Sequence, residues 1–138
     1  MNTLFAKLSP WAEVAGRILI ALIFITAGYG KIGGYEATQN YMASMGVPGT
    51  LLPLVIATEL GGGILIAVGS LTRYAAFALA GFSIVSGLLF HADFADPIQQ
   101  IMFMKNLAIA GGLILLIVNG AGSISLDRLR QGLKGGLQ

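Results

Sequence analysis

The sequence contains no cysteine, a single histidine and very little charge. Without cysteine, a disulfide-stapled secreted scaffold, thiol–disulfide chemistry and Cys-ligated metal sites are all excluded within this chain. Lys, Arg, Asp and Glu make up 10% of the 138 residues, whereas a soluble domain averages about 25%. So little charge is not enough to cover a soluble domain of this size, and it also argues against a disordered or nucleic-acid-binding chain.

The sequence is instead rich in hydrophobic residues, which form long apolar segments. Hydrophobic residues account for 56% of the chain, and the mean hydropathy is +0.83. Four apolar segments lie at about 11–30, 51–71, 73–91 and 98–119, and each is long enough to cross roughly 30 Å of hydrocarbon as a helix. The short alternating segments of a transmembrane β-barrel are missing. We therefore predict an all-α, polytopic membrane protein, with residues 1–138 forming one four-transmembrane-helix bundle.

Lysine and arginine near the span ends predict the orientation, because cytoplasmic loops carry an excess of them. Six of the basic residues fall on the side of the two termini, and two fall on the other side. This distribution predicts that both termini are cytoplasmic. The first span has Glu13 in its approach and no Ala-x-Ala site after it, so we interpret this span as an uncleaved anchor.

The connections between the spans are short. Residues 69–73 leave the second and third spans as antiparallel neighbours, and Pro97 is well placed to begin the fourth. Residues 35–45 fit either a short interfacial helix or an irregular loop, and the sequence favours neither. Twenty glycines indicate close helix packing, while the run at 61–63 also permits a loosened helix beside Glu59.

Ionisable residues inside a span are costly, and they usually face the interior of the bundle. Arg17, Glu59 and Lys105 are such residues. Counted from the same side of the membrane, Glu59 lies about 12 Å deep and Lys105 about 10 Å deep, at roughly 1.5 Å per residue. Opposite charges at matched depth predict a Glu59–Lys105 ion pair, with outward snorkelling of Lys105 as the alternative.

The first span carries a stripe of residues at helical spacing, which predicts its inward face. The stripe consists of Arg17, Ala21, Phe24, Gly28 and Lys31. Glu13, one turn before Arg17, is the expected partner of that guanidinium. The sequence leaves open whether Arg17 is a paired anchor or a functional group.

His91 closes the third span on the same side as Glu59, with Asp93 nearby as a potential partner. With no second histidine and no cysteine, we expect no bound metal. Asn106 adds hydrogen-bonding capacity in the fourth span. The candidate intramembrane polar site thus consists of Arg17, Lys31, Glu59, His91, Lys105 and Asn106. No catalytic residue is assigned.

Several short segments, in order along nearly the whole chain, carry a family resemblance. They are GRIL at 16–19, FITAGYGK at 24–31, YM at 41–42, GVP at 46–48, ELGGG at 59–63, GSLTR at 69–73, LFH at 89–91, FMKN at 103–106 and GAGSISLD at 120–127. In this pattern the chain resembles the DoxX family of small four-helix membrane proteins, and most closely its bacterial inner-membrane branch.

The resemblance implies an oxidoreductase-associated membrane subunit that handles a quinone or another small redox molecule. Because the chain has neither a thiol nor a pair of axial histidines, a flavin or haem would have to come from a redox partner protein. Two alternatives stay open: a non-enzymatic scaffold or small-molecule binding or transport module, and charges that only fix helix register. The expected partners are the lipid bilayer, a redox partner and a second copy of the chain, with no nucleic acid.

Overall fold

A computed structural model describes residues 2–136. Over these residues the chain is helical and contains no strand, which confirms the all-α prediction. The helices are α1 (Thr3–Gly33), α2 (Tyr35–Ser44), α3 (Gly49–Val68), α4 (Thr72–Phe90), α5 (Pro97–Asn119) and α6 (Leu126–Gly135). Four of them, α1, α3, α4 and α5, are long and apolar enough to cross a membrane.

The first span is longer than the apolar segment that predicted it. Helix α1 begins at Thr3 and has 31 residues, so it extends about 46 Å at roughly 1.5 Å per residue. Its buried residues are Arg17, Ala21, Phe24 and Gly28. The inward stripe predicted from the sequence is therefore confirmed.

The second span is not a uniform α-helix. Helix α3 starts with a 3₁₀ turn at Gly49–Leu51 and contains a π segment at Ala57–Gly61, after which the α-helix resumes. The loosening that the glycine run permitted is present, in the form of a π turn around Glu59. Segments of π-helix are rare and frequently lie at functional sites.

Specific capping residues set the ends of the later helices. Pro97 opens α5 as predicted, and the Asp96 side chain accepts a hydrogen bond from Ile98 N at 2.9 Å. In the same way, Ser125 caps α6, accepting from Arg128 N at 3.2 Å. Helix α6 was not predicted. Helix α2 resolves the alternative left open for residues 35–45 in favour of a helix.

An even number of spans brings α6, the start of α1 and the α3–α4 loop together at one end of the bundle, which we call the termini end. The opposite end, with α2 and the α4–α5 loop, is the far end. That the termini end is cytoplasmic stays a prediction from the Lys and Arg distribution. A buried cluster from all four spans packs the half nearer the termini end, and includes Ala21, Ile66, Ala76, Leu79 and Leu113.

Candidate functional site

The far half of the bundle encloses a pocket of about 580 Å³. All four spans and α2 contribute to its wall, and most of the lining side chains are apolar, among them Phe24, Val55, Phe82 and Met102. A concave, mostly apolar cavity with a few polar groups is the usual form of a small-molecule site. Four of the six predicted site residues line it: Lys31, Glu59, His91 and Asn106.

An ion pair forms the most polar part of this pocket. Lys31 Nζ lies 2.8 Å from Glu59 Oε2. Lys31 comes from the last turn of α1, and Glu59 lies in the π segment of α3, where it is only 5% exposed. The Lys31 side chain remains 27% exposed. Since Lys31 belongs to the inward stripe of α1, helical spacing directs it toward α3.

Glycine allows α1 and α3 to approach closely enough for this pair. A Cβ atom added at Gly28 would lie 2.9 Å from the backbone N of Leu60, one residue after Glu59. Gly63 makes the reciprocal approach, because its added Cβ would lie 2.8 Å from Ile25 Cγ1. The small-residue packing expected from the glycine content is thus found at the helix crossing beside the ion pair.

The predicted Glu59–Lys105 ion pair is wrong. Lys105 is exposed on the outer face of α5 and does not line the pocket, while Glu59 pairs with Lys31. The estimated depths of Glu59 and Lys105 were similar, but depth does not specify the rotation of a helix about its axis. One residue later, about 100° round the helix, Asn106 is the polar side chain that faces inward.

Asn106 joins α5 to α4. Its Nδ2 donates to the backbone oxygen of Ser83 at 3.0 Å and lies 3.1 Å from Ser86 Oγ. Gly87 lies against it, since an added Cβ there would be 3.3 Å from Asn106 Cβ. Asn106 therefore connects α5 to α4 within the pocket wall, with both serine partners beside it in the lining.

His91 has a different partner from the one the sequence suggested. Its Nδ1 lies 2.7 Å from Gln99 Oε1, in the first turns of α5. Asp93 accepts from Ala95 N at 3.3 Å and so stabilises its own turn. The Gln99 contact ties the end of α4 to the start of α5 and holds the imidazole at the rim of the pocket.

Helix α2 covers the pocket at the far end, a role that sequence reasoning missed. Tyr41 stacks on Phe90 of α4, with ring centroids 5.6 Å apart, and Gln39 Nε2 donates to Gly49 O at 3.2 Å. Met42, on the same helix, is buried. The sequence signal was the aromatic and apolar spacing within residues 35–45, which by itself did not distinguish a helix from a loop.

Arg17 lies outside the pocket, at the termini end. It is 2% exposed, and its Nη2 donates to Ile124 O at 2.6 Å. The expected ion pair with Glu13 is not formed; the Glu13 carboxylate instead accepts from Ser123 N at 3.3 Å. Arg17 and Glu13 of α1 therefore both hold the segment between α5 and α6. The sequence did not predict this contact, because the two segments are far apart along the chain.

Comparison with known proteins places this arrangement in a family. Residues 12–92, more than half of the chain, match the DoxX family. The chain belongs to the DoxX family. The segments that carried the resemblance in α1, α3 and α4 lie within the matched range, and they include Lys31, Glu59 and His91 of the pocket.

Two proteins of Escherichia coli resemble the chain over most of its length. "Inner membrane protein YqjF" of Escherichia coli K12 is 52% identical over 123 residues, covering 89% of this chain and 95% of the relative. "Inner membrane protein YphA" of the same organism is 37% identical, covering 93% and 99%. With four helices able to span a membrane, the chain is a multi-pass inner-membrane protein.

A more distant similarity reaches a protein with a redox name. "Putative oxidoreductase CatD" of Bacillus subtilis is 35% identical over 57 residues, covering 41% of this chain and 42% of the relative. No solved structure matches the chain.

Proposed function

We propose that this DoxX family protein binds a quinone-type amphipathic molecule in the far-half pocket, as the membrane subunit of an oxidoreductase. The observation that carries the proposal is the Lys31–Glu59 ion pair set into a mostly apolar cavity of about 580 Å³. Apolar walls suit the tail and ring of such a molecule, and a few polar groups fix its head.

The polar groups suit the two redox forms of a quinone headgroup. The Lys31 ammonium is a donor for a carbonyl oxygen, and the Glu59 carboxylate is an acceptor for a quinol hydroxyl. The ion pair joins α1 to the π segment of α3. His91, at the rim, is a further candidate for proton exchange with the surroundings of the pocket.

Electrons would pass between the bound quinone and a partner protein. The chain carries no cysteine, so thiol-based redox chemistry must belong to that partner. In this proposal the protein binds, orients and shields the quinone, while the flavin, haem or thiol is supplied from outside. The oxidoreductase name of one distant relative supports this assignment.

Quinone binding is tested with purified protein in lipid nanodiscs, titrated with a short-chain ubiquinone or menaquinone analogue. We expect saturable binding that Lys31→Met weakens about tenfold or more, since a hydrogen bond to a charged group contributes roughly 1.5–3 kcal/mol. Lys105→Met is the matched control, because it removes the same charge from the outer face of α5. Equal losses in the two variants, or no saturable binding to the unaltered protein, would refute the proposal.

A second function uses the same pocket without redox chemistry, as a binding or transport module for a small amphipathic molecule. The predominance of apolar lining favours it as much as it favours a quinone. Glu59→Gln separates the two. If the variant still binds quinone but a partner reductase no longer reduces it, the protein is the redox subunit. If non-quinone amphiphiles bind saturably, and quinone is reduced in neither the unaltered protein nor the variant, the protein is the binding or transport module. If Glu59→Gln lowers thermal stability but leaves binding unchanged, the ion pair only fixes helix register.

A further inference from the structure

A second cavity lies at the termini end, on the opposite side of the packed core from the quinone pocket. Its volume is about 610 Å³, and its walls come from the start of α4, the segment after α5, and α6. The lining includes four basic residues from two separate helices: Arg73, Arg128, Arg130 and Lys134. None of them belongs to the proposed quinone site.

The four cations of this cavity carry no neutralising ion pair within residues 2–136, where the salt bridge present is Lys31–Glu59. Asp127 is the acidic residue of the lining and attracts Arg130, so it offsets one of the four positive charges. Its two oxygens are held by backbone N–H groups. They accept from Leu71 N at 2.8 Å and from Thr72 N at 3.0 Å. The cavity therefore presents a net positive surface to an incoming anion.

Arg73 lies next to a glycine in the cavity wall. Gly120 has φ +78°, and a Cβ added there would lie 3.4 Å from Arg73 Nε and Nη2. The guanidinium thus lies beside the backbone at the end of α5. A planar guanidinium with its fork of donors matches the geometry of a phosphate group.

Helix α6 has the character of a helix at a membrane surface. Leu126, Leu129 and Leu133 recur at helical spacing, and the last two are 64% and 72% exposed. Its basic residues lie off this apolar stripe and line the cavity. Tyr74, also in the lining, is 79% exposed, in keeping with the aromatic side chains that cluster at the level of lipid headgroups.

We propose that this cavity binds the headgroup phosphate of an anionic phospholipid. The four cations recognise the phosphate, and the exposed leucines of α6 supply the hydrocarbon contact that a lipid makes and a soluble anion does not. The cavity lies between α6 and the ends of two transmembrane helices, so the headgroup and acyl chains of one lipid would meet the two kinds of surface together. The bound lipid would hold α6 against the start of α4.

The test is a lipid titration of delipidated, detergent-solubilised full-length protein, followed by native mass spectrometry. We expect phosphatidylglycerol to bind at least tenfold more tightly than phosphatidylcholine. Arg73→Gln and Arg130→Gln should each weaken phosphatidylglycerol binding about fivefold, the effect of losing one cation near a lipid surface. Lys7→Gln is the control, since it removes one exposed charge from α1, away from the cavity.

Equal affinity for the two lipids, or a loss in Lys7→Gln as large as in Arg73→Gln, would overturn the proposal in favour of general surface attraction. Glycerol phosphate distinguishes a lipid from a free anion. If it competes with an affinity equal to that of the full lipid, the site is one for soluble anions and the lipid assignment is wrong. Leu129→Ser should weaken lipid binding several-fold and leave any glycerol phosphate binding unchanged. Thermal melting of each variant confirms that it is folded.

Discussion

Substituting Gly28 by alanine should separate the two helices that carry the ion pair. An added Cβ would lie 2.9 Å from Leu60 N and 3.0 Å from Leu60 Cβ, whereas ordinary van der Waals contact begins at 3.4 Å. One of these neighbours is backbone, so no side-chain rotation relieves the overlap. The helices α1 and α3 must move apart by about 0.5 Å at this crossing to reach ordinary contact.

The expected cost follows from overpacking. Inserting a methyl group into a well-packed contact destabilises by about 1–3 kcal/mol. Gly30→Ala is a closely matched control, because it makes the same change in the same helix with nothing within 4 Å of the added Cβ. There the helix gains up to roughly 1 kcal/mol, as alanine replaces glycine. Gly28→Ala makes the same gain, because Gly28 also lies inside α1, so the two variants should differ by the overpacking cost alone, about 1–3 kcal/mol in free energy of unfolding.

Unfolding in mixed micelles with increasing sodium dodecyl sulfate, followed by far-ultraviolet circular dichroism, measures this difference. Because Lys31 lies one turn after Gly28, the separation should also lengthen the Lys31–Glu59 contact and weaken binding of the quinone analogue. If Gly28→Ala is as stable as Gly30→Ala, the close crossing of α1 and α3 does not contribute to stability. Weak binding together with full stability would contradict the same reasoning.

Three further predictions concern contacts away from this crossing. Burial raises the pKa of the Asp127 carboxyl. The hydrogen bonds from the start of α4 lower this pKa by a larger amount, so it lies below its usual range. The stabilisation is therefore complete above about pH 4 and disappears as the pH falls through the folded-state pKa, so the stability gap to Asp127→Asn should close on acidification. Arg17→Met leaves Ile124 O without its donor, and should cost about 1–3 kcal/mol in chemical unfolding and speed proteolysis of the segment before α6. Tyr41→Ala removes the stack on Phe90, worth about 0.5–1.5 kcal/mol, and should increase hydrogen exchange in α2 while exchange in the core of α4 is unchanged.

Local periodicity was sufficient to predict the first span and its inward face. Arg17, Phe24 and Gly28 recur at helical spacing, and the charged residues at the ends of the stripe are costly to place against lipid, so this face turns inward. The spans, their number and the opening of α5 at Pro97 follow from similarly local signals. That Lys31 and Glu59 line the pocket could be predicted from the sequence, because both side chains are costly to place against lipid.

The rotation of α5 could not be predicted in the same way. Apolar residues lie on every face of α5, so the sequence does not indicate which face is inward. Lys105 and its neighbour Asn106 are therefore equally plausible as interior groups. A lysine near a span end reaches the headgroup level through its long side chain, whereas an amide at that depth needs a partner inside the protein. The hydrogen bonds of Asn106 to α4 decide the rotation, and they depend on contacts far apart in sequence.

Helix α6 was missed for a different reason. Its signals are present in the sequence: a capping Ser125, then leucines at 126, 129 and 133. Its overall composition is polar, however, and a search for apolar spans passes over such a segment. The hydrogen bonds that hold it, from Arg17 and to Asp127, join positions more than 50 residues apart.

The π segment of α3 has a consequence for the alignment of related sequences. Each π turn bonds i to i+5 and so takes up one more residue than an α turn. The Ala57–Gly61 segment therefore acts as a one-residue insertion, which lets Glu59 face Lys31 while Gly63 and Ile66 stay buried one and two turns later. In a relative with one residue fewer between Leu52 and Gly63, we expect a regular helix at this point. An acidic residue aligned with Glu59 would then lie about 100° away round the helix axis, and its identity alone would not indicate the same pocket.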